Sequence, residues 1–450
     1  MKKILFAYTF IAALGGLLFG FDTAVISGTI PYIREYFSLS PVMEGWTVSS
    51  ALAGCILGAI AVGKPGDLYG RRSVLMFTGL LFLASALGTG MASNLSVFII
   101  FRFIGGIAVG AASVMAPMYI SEIAPPAHRG RLVAVSQLAI VTGILAAFFS
   151  NYLLEGTGEN NWRYMFLVEG IPALVFFTSL FFIVRSPRWL VKAGREEEAR
   201  QVIAKVNPKQ NIEKLISEIR ESLESEVVSS DISILKKPWL RLILIGIAVG
   251  MFNQLTGINV IMYYAPEIFR SAGFSTESAL QQTVMIGITN LVFTLLAMSI
   301  IDKFGRKFLL YTGAVGMAVF LALFSRAYIA QDFGGYNLLV YLVGYIAFFA
   351  FSQGAVIWVL LSEMFPNSIR SRGTAIGSFS HWFFNAVISF IFPKAASEFG
   401  IGAVFAFFCT GVIVSLFFYK FFLVETKGKS LEELETLVLG KSKPQPETVE

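Results

Sequence analysis

Long apolar runs alternate along this chain with short polar segments that carry most of its charge. A bilayer core needs roughly 20 apolar residues per helix. Twelve stretches approach or pass that length: 4–28, 46–64, 74–93, 97–121, 132–154, 164–184, 240–264, 280–301, 308–330, 338–362, 373–396 and 401–423. They predict an all-α polytopic membrane protein with twelve transmembrane helices. The first run follows Lys2 and Lys3 as a secretory leader would. It continues past a plausible cleavage point and carries Asp22, so it is read as a retained span.

Basic residues set the orientation, because cytoplasmic loops collect Lys and Arg. One set of loops holds only Arg34, Arg163, Arg270 and Lys394. The other holds Lys64, Arg71, Arg72, Arg129, Arg131, Lys303, Arg306, Lys307, Arg370 and Arg372, and the long polar stretch 185–238. Both termini are therefore expected in the cytoplasm. The division that follows is a six-helix bundle over 1–184, a linker over 185–238, a second six-helix bundle over 239–425 and a tail over 426–450. Within the linker, 195–205 and 212–224 space their apolar residues as short surface helices do. Ser430 and Glu433 form a capping-box pattern that predicts a helix over 431–438. The tail from Lys441 is rich in Pro and charge and reads as disordered.

Composition agrees with the spans. Of 450 residues, 56% are hydrophobic and 14% charged, against roughly 25% charged in soluble domains. A net charge of +6 could suggest a nucleic-acid partner, but the basic residues cluster at span ends, as topology requires. Cys55 and Cys409 both lie in apolar runs, and neither they nor His128 and His381 make a metal-binding spacing. No phosphate loop or nucleophile–histidine pairing is present. Neither an enzyme nor an ATP-driven pump is expected, and no cofactor or metal.

The chain repeats itself. Gly63-Lys-Pro-Gly-Asp67-Leu-Tyr-Gly70-Arg71-Arg72 follows span two, and Asp302-Lys-Phe-Gly305-Arg306-Lys307 follows span eight. Ser121-Glu122-Ile-Ala-Pro125 with Arg129 follows span four, and Ser362-Glu363-Met-Phe-Pro366 with Arg370 follows span ten. Topology alone needs the basic residues but not Asp67, Glu122, Asp302 or Glu363. Unpaired charges at a membrane edge are costly. Pairs among these groups are expected to hold the two halves together on the inner side and to break when that side opens. The plainer alternative is that they anchor loops to headgroups.

Asp22 and Arg102 fall at similar depth in spans of opposite direction. A buried carboxylate favours its protonated form, and one beside a guanidinium favours its charged form. The pair can therefore couple a proton to conformation, or serve as a structural ion pair. Glu169 in span six is a third intramembrane acid, for proton exchange or for a helix–helix bond.

The duplicated Asp-x-x-Gly-Arg-Arg/Lys loops resemble those of the major facilitator superfamily. Arg102-Phe-Ile-Gly-Gly, Pro117-Met-Tyr-Ile-Ser-Glu122-Ile-Ala-Pro, Ser186-Pro-Arg-Trp-Leu190, Gln254-Leu-Thr-Gly-Ile-Asn259 and Glu425-Thr-Lys-Gly428 resemble its sugar porter family. The pattern lies nearest the bacterial D-xylose–proton symporters, from Gly15 to about Glu435. The resemblance implies two pseudo-symmetric six-helix bundles with a substrate site between them near the midplane. Three positions depart from it. Arg185 stands where the family has Glu, Val424 where it has Pro, and Asn253 where it has Gln.

The resemblance assigns Gln137, Asn253, Gln254, Asn259, Asn290 and Trp358 to sugar contact. Interhelical hydrogen bonding is the alternative for the amides. Residues 254 and 259 are about 140° apart on an ideal helix, so Gly257 and Thr256 are expected to break span seven and turn both inward. His381 and Trp382 replace an amide–Trp pair, and His381 is either a sugar ligand or a satisfied core group. Tyr263 caps the site from outside by resemblance, or sits as an interfacial Tyr. The expected activity is proton-coupled symport of a monosaccharide by a monomer in the bacterial inner membrane. A facilitative uniporter and an inositol or polyol symporter are the alternatives.

Overall fold

The computed structural model describes residues 3–423, 425 and 427, except 126–127, 208–210, 229–238 and 366–368; the side chains of 225–228, 302, 362 and 371 are also outside the description. The expected helix over 431–438 and the tail beyond it lie outside the described residues.

Among the described residues, twelve helical spans are long and apolar enough to cross a membrane. They are Lys3–Phe37, Pro41–Ala61, Arg71–Gly90, Leu95–Ile123, Arg129–Thr157, Asn161–Phe182, Trp239–Ser271, Thr276–Ile301, Arg306–Ala330, Asn337–Leu361, Arg372–Phe399 and Ile401–Phe421, numbered one to twelve below. Span one runs well past residue 28, through Pro31 and Arg34. Between spans six and seven lie the helices Pro187–Lys192, Glu196–Val206 and Ile212–Val228.

Within the first six spans, one packs on five and two on four. Within the last six, nine packs on twelve and seven on eleven. The two sets meet along spans two and eleven, five and eight, and one and seven. Small residues set the closest approaches. A Cβ on Gly106 or Gly110 of span four would collide with the carbonyls of Ala51 or Cys55 in span two, so these backbones touch as membrane helices with small faces do.

The face that carries the N-terminus, called here the near face, shows the repeat in three dimensions. Gly70 and Gly305 precede spans three and nine with φ of 86° and 89°, a conformation open to glycine. Arg71 then donates to Glu122 Oε1 at 3.0 Å, to Asp67 Oδ1 at 2.9 Å and to the Gly66 carbonyl at 2.8 Å. Arg306 donates to both oxygens of Glu363, at 2.9 and 3.1 Å. Each Arg–Glu pair thus joins two spans of one half, whereas the sequence reading expected pairs that link the halves while the inner side is closed. The reason is local, since spans three and four, like nine and ten, end side by side and bring Arg and Glu within reach. Arg370 donates to the Phe365 carbonyl at 3.1 Å, and Arg129 opens span five in an exposed position. The side chain of Asp302 lies outside the described residues.

The linker docks on the first repeat. Lys192 donates to Asp67 Oδ2 at 2.8 Å, and Trp189 Nε1 to the Asp67 carbonyl at 2.9 Å. Burial pushes the Asp67 carboxyl up, but Lys192 and Arg71 outweigh it and hold the group below its ordinary value.

The far face is closed by contacts between the halves. Arg34 at the end of span one donates to Glu267 of span seven at 2.8 Å and to Glu44 of span two at 2.6 Å. Trp46 meets Phe390 edge to face, and a Cβ on Gly45 would strike the Phe390 carbonyl.

Candidate functional site

Span seven is two helices, Trp239–Leu255 and Ile258–Ser271. The break is at Gly257, whose φ of 80° is left-handed and where a Cβ would enter the Phe408 ring. Thr256 Oγ1 accepts from Ile258 N at 3.3 Å and donates to the Asn253 carbonyl at 2.7 Å, and Tyr345 of span ten donates to the Thr256 carbonyl at 2.9 Å. The freed backbone is satisfied in this way, as broken membrane helices require.

Beside the break lies a cavity shared by both halves. Spans one and five contribute Phe19, Thr23 and Gln137. The second half contributes Asn253, Asn259 and Tyr263 from span seven, Asn290 and Thr294 from span eight, Trp358 from span ten, and His381, Trp382 and Asn385 from span eleven. Its polar lining is neutral amide, hydroxyl and imidazole. Its rings pack against one another, Trp358 on His381 at 4.8 Å and, across the halves, Phe19 on Trp382 at 5.5 Å. Such a wall offers hydroxyl-matching groups together with apolar faces.

The amides form a directed chain. Asn259 Nδ2 donates to Gln254 Oε1 at 2.7 Å, Gln254 Nε2 to Asn253 Oδ1 at 2.9 Å, and Asn253 Nδ2 to Gln353 Oε1 at 3.2 Å. Gln254 Nε2 also lies 3.0 Å from His381 Nδ1. It lies 3.3 Å from His381 Nε2 as well, and as the donor it meets whichever ring nitrogen of the neutral imidazole carries no proton. Gln254 therefore stands behind the wall with both N–H groups engaged, while Gln137, Asn253, Asn259, Asn290, Trp358, His381 and Trp382 are on it. Asn385, absent from the sequence reading, donates to the Tyr263 hydroxyl at 3.2 Å and accepts from Ser389 at 3.2 Å. It follows His381 by one helical turn, and that spacing was the available signal.

Deeper in the first half, Asp22 and Arg102 are both almost wholly buried and form an ion pair. Arg102 also donates to the Asp22 carbonyl at 3.2 Å and lies over the Phe166 ring. Among the described residues, neither Asp22 Oδ2 nor Glu169 Oε1 has a hydrogen-bond partner. Glu169, buried where span six is interrupted between Leu167 and Gly170, feels the charges of Asp22 and Arg102. Asp22 immediately precedes Thr23 of the cavity wall, so an event at the carboxylate is one residue from the site.

A family model described as "Sugar (and other) transporter" matches residues 8–438. The chain is 39% identical to the D-xylose-proton symporter of Escherichia coli (strain K12), over 99% of this chain and 98% of that one. It is 38% identical to the arabinose-proton symporter of Bacillus subtilis (strain 168), over 95% and 93%. A solved inward-open structure of the xylose transporter from E. coli superposes with a TM-score of 0.86 at 37% identity, covering 96% of this chain and 99% of that one.

Proposed function

The chain belongs to the sugar transporter family, and from that premise we propose that it carries a monosaccharide, a pentose or hexose, across the membrane by alternating access in symport with a proton. The observation that carries the reading is the pairing of a neutral, amide- and indole-lined cavity between the halves with a buried Asp22–Arg102 pair directly behind its wall. Neutral amides suit hydroxyl groups and give an organic ion no countercharge. The termini and near face are cytoplasmic in this reading, the membrane is the bacterial inner membrane, and the working unit is one chain.

The contacts support a cycle. Arg34, Glu44 and Glu267 close the far face, which leaves access to the cavity from the near face. Separation of spans one and two from seven and eleven reverses this. A proton on Asp22 weakens its hold on Arg102 and frees span one to move with its wall residues Phe19 and Thr23. Sugar bound to both halves then draws them together.

The test is uptake of radiolabelled D-xylose into proteoliposomes, with and without an inward proton gradient. Unlabelled glucose, galactose, arabinose and myo-inositol serve as competitors. Accumulation above the external level only with the gradient supports the reading. Equilibration and counterflow that ignore pH would make the protein a uniporter. Preferential competition by myo-inositol would make it a polyol carrier.

A further inference from the structure

The amide chain ends on a residue outside the cavity wall. Gln353 is 1% exposed and lies in a π-helical turn, Ala350–Gly354, that interrupts span ten. Such turns shift the phase of a helix and recur at functional sites. Here the turn brings Gln353 Oε1 to Asn253 Nδ2 on span seven, while Trp358, further along the same span, reaches the cavity. Tyr345, before the turn, holds the Thr256 carbonyl at the break. Span ten therefore grips the broken segment of span seven at two points.

The hydrogen-bond inventory shows what the grip at Gln353 does. An amide has two N–H donors and an oxygen with two lone pairs. Gln254 spends its N–H groups on Asn253 and His381. Asn253 spends one lone pair on Gln254 and one N–H on Gln353. With both ends tied, turning the Asn253 amide over would break both bonds. It offers the cavity one donor and one acceptor in fixed places. Without an acceptor at 353, only the bond to Gln254 would hold it.

We propose that Gln353 is a specificity-determining positioning residue, which fixes the Asn253 amide and so decides which substrate hydroxyl the site demands. Gln353 touches no substrate itself. This rests on the sugar-transport reading above. Its consequence is selective, because a site built around a hydroxyl rejects the analogue that lacks it far more strongly than a site whose partner can reorient.

The test is binding of D-xylose, D-glucose and the 2-, 3-, 4- and 6-deoxy analogues of D-glucose to the full chain in nanodiscs, read by calorimetry. In the unaltered protein at least one deoxy analogue should bind about tenfold or more weakly than D-glucose, the loss expected for a buried hydrogen-bond partner left unmet. In Gln353→Leu that one penalty should shrink to about twofold, while penalties at other positions stay in place. Gln353→Glu, which keeps an acceptor for Asn253, should retain the original pattern. In the Asn253→Ala background, Gln353→Leu should change nothing further. Thermal unfolding confirms that each variant is folded. An equal weakening for every analogue in Gln353→Leu, an unchanged pattern, or additivity with Asn253→Ala would overturn the proposal while leaving sugar transport intact. Failure of the unaltered protein to bind either D-xylose or D-glucose would overturn both.

Discussion

Arg34 joins the two halves of the molecule on the far face, with Glu267 of span seven at 2.8 Å and Glu44 of its own half at 2.6 Å. Glu44 is nearly buried and Glu267 partly so, while Arg34 is more than a third exposed. The bridge to Glu267 must break for the far face to open. Because it is partly screened, it contributes on the order of 1 kcal/mol. Glu267→Gln should therefore raise the far-side-open population roughly fivefold. Spin-label distances between the far ends of spans one and seven measure this. An unchanged distribution would remove Arg34–Glu267 from the gate.

The repeat is broken at one informative place. Glu425 accepts from the first two backbone N–H groups of span nine, Arg306 and Lys307, both at 2.9 Å. Among the described residues, no side chain caps the matching start of span three at Arg71. The two chain exits are also matched. Arg72 donates to carbonyls at the end of span six, and Lys307 to carbonyls at the end of span twelve. By that match the counterpart of Glu425 is Arg185, whose guanidinium lies over Trp189 instead. Arg185→Glu should supply the missing cap and stabilise the protein by about 1 kcal/mol, and Glu425→Ala should remove a similar amount. Thermal unfolding in detergent reads both; a loss in Arg185→Glu would refute the correspondence.

Most of the architecture was legible because bilayer thickness forces long apolar runs, and a run of that length has few other uses. The meeting of Asp22 and Arg102 followed from depth alone. The break at Gly257 was readable from Gln254 and Asn259 facing different ways on an unbroken helix, but it turns only Asn259 to the wall and leaves Gln254 behind it. Other features lay beyond periodicity. Gln353 sits in a π turn, which shifts the phase of span ten, so counting along an ideal helix misplaces it. Arg34 read as a loop residue beyond a span ending at 28, because charges usually terminate apolar runs, yet the helix continues past it to Phe37. The partners of Arg71 and Arg306 depend on which span ends are neighbours, and a repeat in one dimension does not say.

The Arg71–Glu122 pair is the clearest case of that last point. Both side chains are only 7% exposed, and both belong to the first half. Glu122→Gln should cost about 2 kcal/mol, less than a fully stranded charge because Arg71 keeps Asp67. It should lower the unfolding temperature and leave near-face distances between the halves unchanged. A large shift in those distances with unaltered stability would restore the cross-half gating role.

Asp22 gives the sharpest test of proton coupling. Its carboxylate is fully buried against Arg102, and among the described residues nothing hydrogen-bonds to Oδ2, so a proton arriving there has an oxygen to take it. A carboxylate beside a guanidinium favours its charged form, and one left alone in a dry interior favours the neutral form. Movement of span one relative to span four therefore changes proton affinity, and by reciprocity protonation changes the ease of that movement. Asp22→Asn resembles the protonated acid in size and charge but cannot release a proton. In proteoliposomes it should abolish gradient-driven accumulation while keeping sugar affinity within about twofold, because the cavity wall beginning at Thr23 is untouched. Exchange between equal sugar pools should persist, since it needs no net proton movement. Arg102→Ala should behave differently, because it strands a buried acid at a cost of about 3 kcal/mol or more, and should damage folding as well as coupling. If Asp22→Asn still concentrates sugar as the unaltered protein does, the proton travels elsewhere, and Glu169, a second buried acid of the same half, is the next group to neutralise.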